Sequence, residues 1–174
     1  MKAVTISARI LLMIAASVGA LLIVGVVGLY VASKGTQSIE EINDGALARI
    51  QTLGASRQAF MDARVGMFAL FLNSNDEEMV ALEKQIGDKG VEIAKLFESY
   101  AGLVVNAEDQ AFLAADQKNL KAYFDYFNAE VLPRLRRYEN EYARELMVTK
   151  LAPLGNDTLK SLNDHMAFNT RLAD

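Results

Sequence analysis

Two kinds of hydrophobic pattern divide the chain. Residues 10–33, ILLMIAASVGALLIVGVVGLYVAS, form an uninterrupted run without charge. As a helix this run would be about 36 Å long, enough to cross the core of a bilayer. From Ser38 onward, apolar residues instead recur at steps of three and four, which is typical of amphipathic helices. The pattern therefore predicts an all-α protein in which a transmembrane helix at 10–33 continues into a helical bundle.

Four apolar stripes follow one another after the run. The first reaches Phe71, with its helix ending near Leu72, and the others cover 79–104, 113–138 and 147–169. Four amphipathic helices joined by short links predict an up-down-up-down four-helix bundle.

Turn and capping residues separate the stripes. Ser74 with Glu77 has the form of a capping box, and Asn106 begins the third helix. We expect the last turn at 138–141. Pro133 and Pro153 fall inside the third and fourth helices, where each removes a backbone hydrogen bond and favours a kink.

The charges that flank the apolar run set its orientation. Lys2 and Arg9 precede it, so the positive-inside rule places residues 1–9 in the cytoplasm and 34–174 outside. A cleaved signal peptide is the alternative, with Val31-Ala-Ser33 as its cleavage site. Its apolar region usually spans only about 7–15 residues, which favours a retained anchor.

Composition excludes several functions. There is no Cys, hence no disulfide framework, zinc-thiolate site or cysteine nucleophile. The part of the chain after the run contains 16 of the 18 Lys and Arg residues and all 22 Asp and Glu residues. This excess of negative charge disfavours nucleic-acid binding. With one His and no carboxylate-x-x-His pair, we expect no enzyme, metal or cofactor, although haem ligation by His165 and a methionine stays open.

Two arginines interrupt the first stripe. Its steps place Arg57 and Arg64 where Leu or Ile would be expected, on one side of the helix and about 10.5 Å apart along its axis. Arginine stems can reach water from the edge of such a stripe, or pair with a carboxylate such as Asp62. Without such partners, the two guanidinium groups suit a bound carboxylate, since a dry unpaired charge costs several kcal/mol.

Residues on the third and fourth helices reach the same height. Counting from the turns, Tyr126, Thr149 and Pro153 fall within about 10 Å of the arginines along the bundle. Pro153 has no N–H, so the Thr149 carbonyl loses its helical donor and becomes available to a ligand ammonium or hydroxyl group. A purely structural kink is the alternative interpretation.

These features together resemble the N-terminal half of a bacterial methyl-accepting chemotaxis receptor. The resemblance rests on Ser7-Ala-Arg9 before the span, the long helix with its two arginines, the Pro153-type kink, and Leu159-Lys-Ser-Leu-Asn-Asp. It implies a periplasmic four-helix sensor in the inner membrane, forming a homodimer through the first helices.

The resemblance also implies a ligand site. A small carboxylate or amino acid would bind between the first-helix arginines and the fourth helix, at Arg57, Arg64, Thr149 and Lys150. The chain stops at Asp174, where such receptors enter a second span, so we expect either a truncated receptor or a stand-alone sensor. The alternative function is a membrane-anchored structural bundle that dimerises without a small ligand.

Overall fold

The computed structural model describes the backbone of residues 6–173 and the side chains of residues 24–30 and 45–173. The chain divides into two compact units, Met1–Asp44 and Gly45–Asp174. Helix α1 covers Ile6–Leu72, which confirms its predicted end at Leu72.

In the first unit, every described side chain is exposed. These seven residues, 24–30, include Val24, Leu29 and Tyr30. No helix in the described part of the chain is long and apolar enough to cross a membrane. The predicted span at 10–33 lies mostly outside the residues whose side chains are described, namely at 10–23 and 31–33.

The second unit completes an all-α bundle. After α1 come α2 (Asp76–Ala101), α3 (Ala107–Tyr126), α4 (Leu132–Leu135), α5 (Asn140–Leu146) and α6 (Ala152–Ala173). Two π-helical segments, π1 (Phe127–Val131) and π2 (Met147–Leu151), join α3 to α4 and α5 to α6. The third helix of the bundle is therefore α3, π1 and α4, and the fourth is α5, π2 and α6.

Each π segment ends two residues before a proline, π1 before Pro133 and π2 before Pro153. Leu132 N–H donates to Phe127 O and Ala152 N–H to Met147 O, five residues back in each case. A π turn adds one residue to a helical turn and is often found near functional sites. The third and fourth helices thus continue past Pro133 and Pro153 with a locally wider turn.

Most helix ends match the sequence signals. The Asn106 side chain accepts from Asp109 N, as expected for a cap. The second helix departs from prediction, because its cap is Asn75, which accepts from Glu77 N and Glu78 N. The prediction of Ser74 as the cap was wrong: the tip turn places an asparagine, an equally good capping residue, one position later.

The tip between the third and fourth helices turns at Tyr138. Its φ of 57° lies in the left-handed region, and Glu139 N–H donates to Arg134 O at 3.0 Å. This bond together with Tyr138 N–H to Leu135 O forms a helix-ending motif that usually contains glycine. The Tyr138 hydroxyl donates to Asp76 at the start of α2, which ties the two tip turns together.

The buried stripe of α1 shares Ala46, Leu53, Phe60 and Met67 with the predicted one but differs at the positions between them. The buried positions step along 46, 49, 53, 56, 60, 63, 67 and 70. The small residues Ser56 and Ala63 are buried in the core, whereas the prediction placed their neighbours Arg57 and Arg64 there. The prediction that these arginines fill core slots was therefore wrong, because close packing selected small side chains that a hydrophobicity pattern overlooks.

Candidate functional site

The two predicted arginines differ in their surroundings. Arg57 is exposed, whereas Arg64 is half-buried. A Cβ atom added to Gly155 on α6 would lie 3.3 Å from both Cζ and Nε of Arg64. Only a glycine lets the fourth helix approach Arg64 so closely, so Arg64 lies where α1 meets α6.

Aromatic rings surround the Arg64 guanidinium group. Its Cζ lies 5.9 Å from the centroid of the Phe60 ring, and Tyr123 packs edge-on against Phe60 at 4.9 Å. Burial raises the pKa of Tyr123 to about 12, against the opposing positive charge of Arg64. The hydroxyl therefore stays protonated beside a permanent cation.

Neither arginine forms an ion pair with a carboxylate in the described part of the chain. Asp62, the acid nearest in sequence, pairs instead with Lys89 at 3.3 Å and accepts from Gln58 at 2.8 Å. These contacts hold the pKa of Asp62 below its usual value. The arginines thus keep guanidinium N–H groups available to an anion from outside the chain.

The other predicted site residues lie closer to the tip. Tyr126 is half-buried, and its pKa is raised by burial and by the nearby Glu130 and Tyr142. Thr149 and Lys150 are exposed on π2. The Thr149 hydroxyl donates to Glu145 O at 2.7 Å, so its hydrogen already has an acceptor on its own helix.

Pro153 removes a backbone hydrogen bond at the end of π2, as its position in the sequence predicts. Since Ala152 N–H donates to Met147 O and Pro153 has no N–H, Val148 O receives neither its α-helical nor its π-helical donor. Thr149 O likewise lacks the donor four residues on. The π turn therefore places the carbonyl without a helical donor at Val148, one residue before the Thr149 carbonyl that the sequence predicted.

A second polar site lies near the other end of the bundle. His165 on α6 is fully buried, together with Asp109 and Asp116 on α3. Its Nδ1 lies 2.6 Å from Asp116 Oδ2, and its Nε2 lies 2.8 Å from Asp109 Oδ1. One imidazole ring is thus held between two carboxylates.

Hydroxyl and backbone groups complete the carboxylate contacts. Ser161 donates to Asp116, and the Tyr100 hydroxyl donates to Asp109 Oδ1 at 2.6 Å. Val105 N–H, from the loop before α3, donates to Asp109 Oδ2 at 3.1 Å. Burial raises the pKa of Asp109, but these hydrogen bonds outweigh it and the net shift is downward, so the carboxylate is ionised.

Asn169 links this cluster to α1. Its Nδ2 donates to the Tyr100 hydroxyl at 2.7 Å, and its Oδ1 accepts from Arg49 Nε at 2.7 Å. Arg49 is only 7% exposed. We call the following residues the buried polar network: Arg49, Tyr100, Asp109, Asp116, Ser161, His165 and Asn169.

The network is saturated. In the described part of the chain, no buried side-chain nitrogen or oxygen lacks a hydrogen-bond partner. Phe112 stacks on the His165 ring at 5.3 Å and packs against Phe168, which closes the network from the side. Buried polar groups joined in this way specify one arrangement of helices, because any other leaves a charge unpaired.

Comparison with known proteins places the chain in a family. The model of a family described as a four-helix-bundle sensory module for signal transduction matches residues 3–174. The chain belongs to this family. The match confirms the resemblance to the sensory module of chemotaxis receptors. No curated protein and no solved structure matched the chain.

The sensory module also carries an open groove between α2 and α3. Its volume is about 530 Å³, and Gly87, Gly90 and Ala94 line one side of it, opposite Leu120 and Phe124. A Cβ atom on Gly90 would lie 3.6 Å from the Phe124 ring, an ordinary contact. The glycines therefore leave a shallow apolar hollow, away from the arginines.

Sequence reasoning missed most of the buried polar network. The single histidine, His165, indicated only haem ligation as an open alternative, and no local motif marks Arg49 or Asp116. One signal was present: His165, Leu162 and Thr158 share the spacing of a buried stripe, as do Arg49, Leu53 and Ser56. When several helices each carry a charged or polar residue at a position of the buried stripe, those residues are expected to contact one another in the core.

Proposed function

We propose that this chain is the ligand-binding sensory module of a methyl-accepting chemotaxis receptor, and that it binds a small carboxylate or amino acid. The observation that carries the proposal is the half-buried Arg64 guanidinium group, packed between Phe60, Tyr123 and Gly155 without a carboxylate partner in the described chain. A cation kept at a helix seam needs an anion, and a guanidinium group binds a carboxylate through two parallel hydrogen bonds.

Arg57 extends the site along α1. It lies two helical turns from Arg64 and is exposed, so it can rotate toward a second acidic group of the same ligand. On π2, Val148 O and Thr149 O offer acceptors for an ammonium group, and Lys150 and Tyr126 supply further polar contacts. A small diacid would use the two arginines, and an α-amino acid would use Arg64 together with an acceptor for its ammonium group.

We infer that the module forms a homodimer through α1. An outward stripe on α1 carries Val65, Phe68 and Leu72, which are 65%, 52% and 79% exposed. Together with Met61 these residues follow alternating steps of four and three, the spacing of a helix–helix seam. Arg64 precedes Phe68 by one turn, so a ligand at the arginines would lie beside the partner helix.

We also propose that residues 1–9 are cytoplasmic, that 10–33 anchor the chain in a bacterial inner membrane, and that 34–174 are periplasmic. The exposed apolar side chains of residues 24–30 support an anchor in this part of α1. The charge difference across the run supports the orientation.

A thermal-shift panel tests the ligand proposal. Small carboxylates and amino acids are added to the full chain, and one of them is expected to raise Tm, since a ligand at 100 times its Kd adds about 2.7 kcal/mol of stability. Arg64→Ala and Arg57→Ala should abolish the shift, while Arg137→Ala, an exposed arginine at the tip, should preserve it.

The alternative function predicts a different result. A purely structural bundle would show no shift with any compound in the panel. A shift that survives both substitutions but disappears with Gly90→Leu would place the ligand in the α2–α3 groove and contradict the arginine site.

Phe68→Glu tests the dimer. Placing a charge in the outward stripe should convert the protein to a monomer in analytical ultracentrifugation. Val91→Glu, at an exposed valine on α2, is the matched control and should leave the association unchanged. A parent protein that is already monomeric at high concentration would contradict the proposed interface.

A further inference from the structure

The buried polar network contains a histidine that the proposed ligand site does not use. His165 is the only histidine in the chain, and it is fully buried. The charged and titratable groups that face it come from every helix of the bundle: Arg49 from α1, Tyr100 from α2, and Asp109 and Asp116 from α3. Ser161 and Asn169 from its own helix complete the set.

The hydrogen bonds determine how many protons this set holds. An ionised carboxylate only accepts, and a neutral imidazole has one donor and one acceptor nitrogen. With a neutral ring and two ionised carboxylates, one ring nitrogen would turn a lone pair toward a carboxylate oxygen less than 3 Å away. Either both ring nitrogens therefore carry a proton, or the ring is neutral and one carboxylate is protonated. In both cases the ring and the two carboxylates hold two protons in total.

The neighbouring hydroxyls cannot supply that proton. Ser161 already donates to Asp116. The Tyr100 hydroxyl lies 2.9 Å from His165 Nε2, but it lies nearer to Asp109 Oδ1, at 2.6 Å, and donates there. Burial raises the pKa of Tyr100 well above its ordinary value, so its hydroxyl stays protonated and keeps donating. The extra proton therefore belongs to His165 and its two carboxylates as a unit.

Charge balance gives the same count. Asp109 and Asp116 carry two negative charges, and Arg49 supplies one positive charge through Asn169. With the extra proton on the His165 unit, the net charge of the buried polar network is zero. Its loss would leave one uncompensated negative charge in the core, which is costly in a medium that solvates charge poorly.

The position of the network determines what a change in its charge would do. His165, Ser161 and Asn169 all lie on α6, whereas their partners lie on α1, α2, α3 and the loop before α3. Loss of the proton would leave one ring nitrogen without hydrogen, so one of the two contacts between α6 and the α3 carboxylates would turn from attraction to repulsion. A local change of charge would thus act directly on the relation between the fourth helix and the other three.

We propose that His165, Asp109 and Asp116 form a proton-binding site through which the sensory module responds to acidity. With the proton bound, α6 is held against α3 and the α2–α3 loop. Release of the proton in alkaline solution loosens α6. This function is separate from ligand capture at Arg57 and Arg64, and either proposal can fail without the other.

The single histidine gives a direct test. The imidazole ¹⁵N resonances of the full chain report the protonation of both ring nitrogens as pH is raised. The amide resonances of Val105 and Asn169 are expected to shift at the same midpoint at which the His165 unit loses its proton.

Two variants make the test specific. Asp116→Asn removes one carboxylate charge while preserving size, and it should lower the midpoint of proton loss by about one pH unit or more. Asp164→Asn, next to His165 in sequence but paired with Lys160, should leave the midpoint unchanged.

Two results would overturn the proposal. A neutral ring beside two ionised carboxylates, with no midpoint shared with the amides, would show that no proton is stored there. A ring that titrates while Val105 and Asn169 stay fixed would show a structural network with no response to pH.

Discussion

Arg49 and Arg64 lie on the same helix, fifteen residues apart, and have opposite environments. Arg49 is almost completely buried and donates to Asn169, whose amide leads on to Tyr100 and Asp109. Arg64 is half-buried against aromatic rings and a glycine, with no carboxylate partner in the described chain. The charged groups around Arg49 are all partnered within the module, whereas Arg64 has no oppositely charged partner in the described chain.

The difference separates two uses of a buried charge. A network that satisfies itself fixes the arrangement of helices and responds only to a change in its own protonation. A cation without an internal carboxylate is available to an anion from solution, and it contributes little to stability until that anion binds.

Asp116→Ala should have the strongest effect on the saturated region. It leaves His165 without one of its two carboxylates in a fully buried position, and breaking a buried pair in this way costs about 3–5 kcal/mol. The free energy of unfolding in urea measures the loss. Asp125→Ala, an exposed position on the same helix, should change stability by less than about 0.5 kcal/mol. Equal losses in the two variants would contradict the central role of the network.

Arg49→Met and Arg64→Met compare the two arginines directly. The first leaves Asn169 Oδ1 buried without a donor, which should cost about 1–3 kcal/mol. The second keeps an unbranched side chain against Phe60 and Tyr123 and breaks no ion pair, so its cost should stay below about 0.5 kcal/mol. If Arg64→Met is the more damaging of the two, Arg64 has an internal partner and the comparison fails.

Gly155→Leu tests the packing that holds Arg64 at the seam. Even a Cβ atom there would lie 3.0 Å from the Tyr123 ring, so the larger side chain should overpack the seam at a cost of about 1–3 kcal/mol. Gly87→Ala is the control, because its Cβ meets nothing within 4 Å and alanine favours the helix by up to about 1 kcal/mol. Thermal unfolding should show opposite signs for the two changes; the same sign would mean that Gly155 is not a close contact.

Acid should weaken the saturated region in a defined pH range. The pKa of Asp109 is lowered in the folded state, so the unfolded chain takes up the proton first as pH falls. The stability from Asp109 is therefore present above its ordinary pKa of 3.8 and is lost as pH falls below it, toward the folded value. Urea unfolding at pH 5 and pH 3 should show a smaller acid-induced loss in Asp109→Asn than in the parent. An equal loss in both would assign the acid sensitivity to other groups.

The helices were predictable because their signals are local. Apolar steps of three and four, the Asn106 cap and the Leu72 end depend on neighbours within a turn or two, so the sequence contains them. The all-α bundle and the family follow from that pattern.

The orientation of individual positions was harder to predict, since it depends on packing between helices. Ser56 and Ala63 face the core because small side chains let helices approach, whereas hydrophobicity alone favoured the slots of Arg57 and Arg64. His165 acquires its significance only when Asp109 and Asp116 come beside it, from residues about fifty positions away in sequence.

The most direct test observes the three arginines in one experiment. The guanidinium Nε–H resonances of Arg49, Arg57 and Arg64 are assigned by NMR, and small carboxylates and amino acids are titrated into the full chain. We expect a bound compound to shift the resonances of Arg64 and Arg57 and to leave that of Arg49 unchanged. A compound that binds without moving either Arg57 or Arg64, or a panel in which nothing binds, would contradict it.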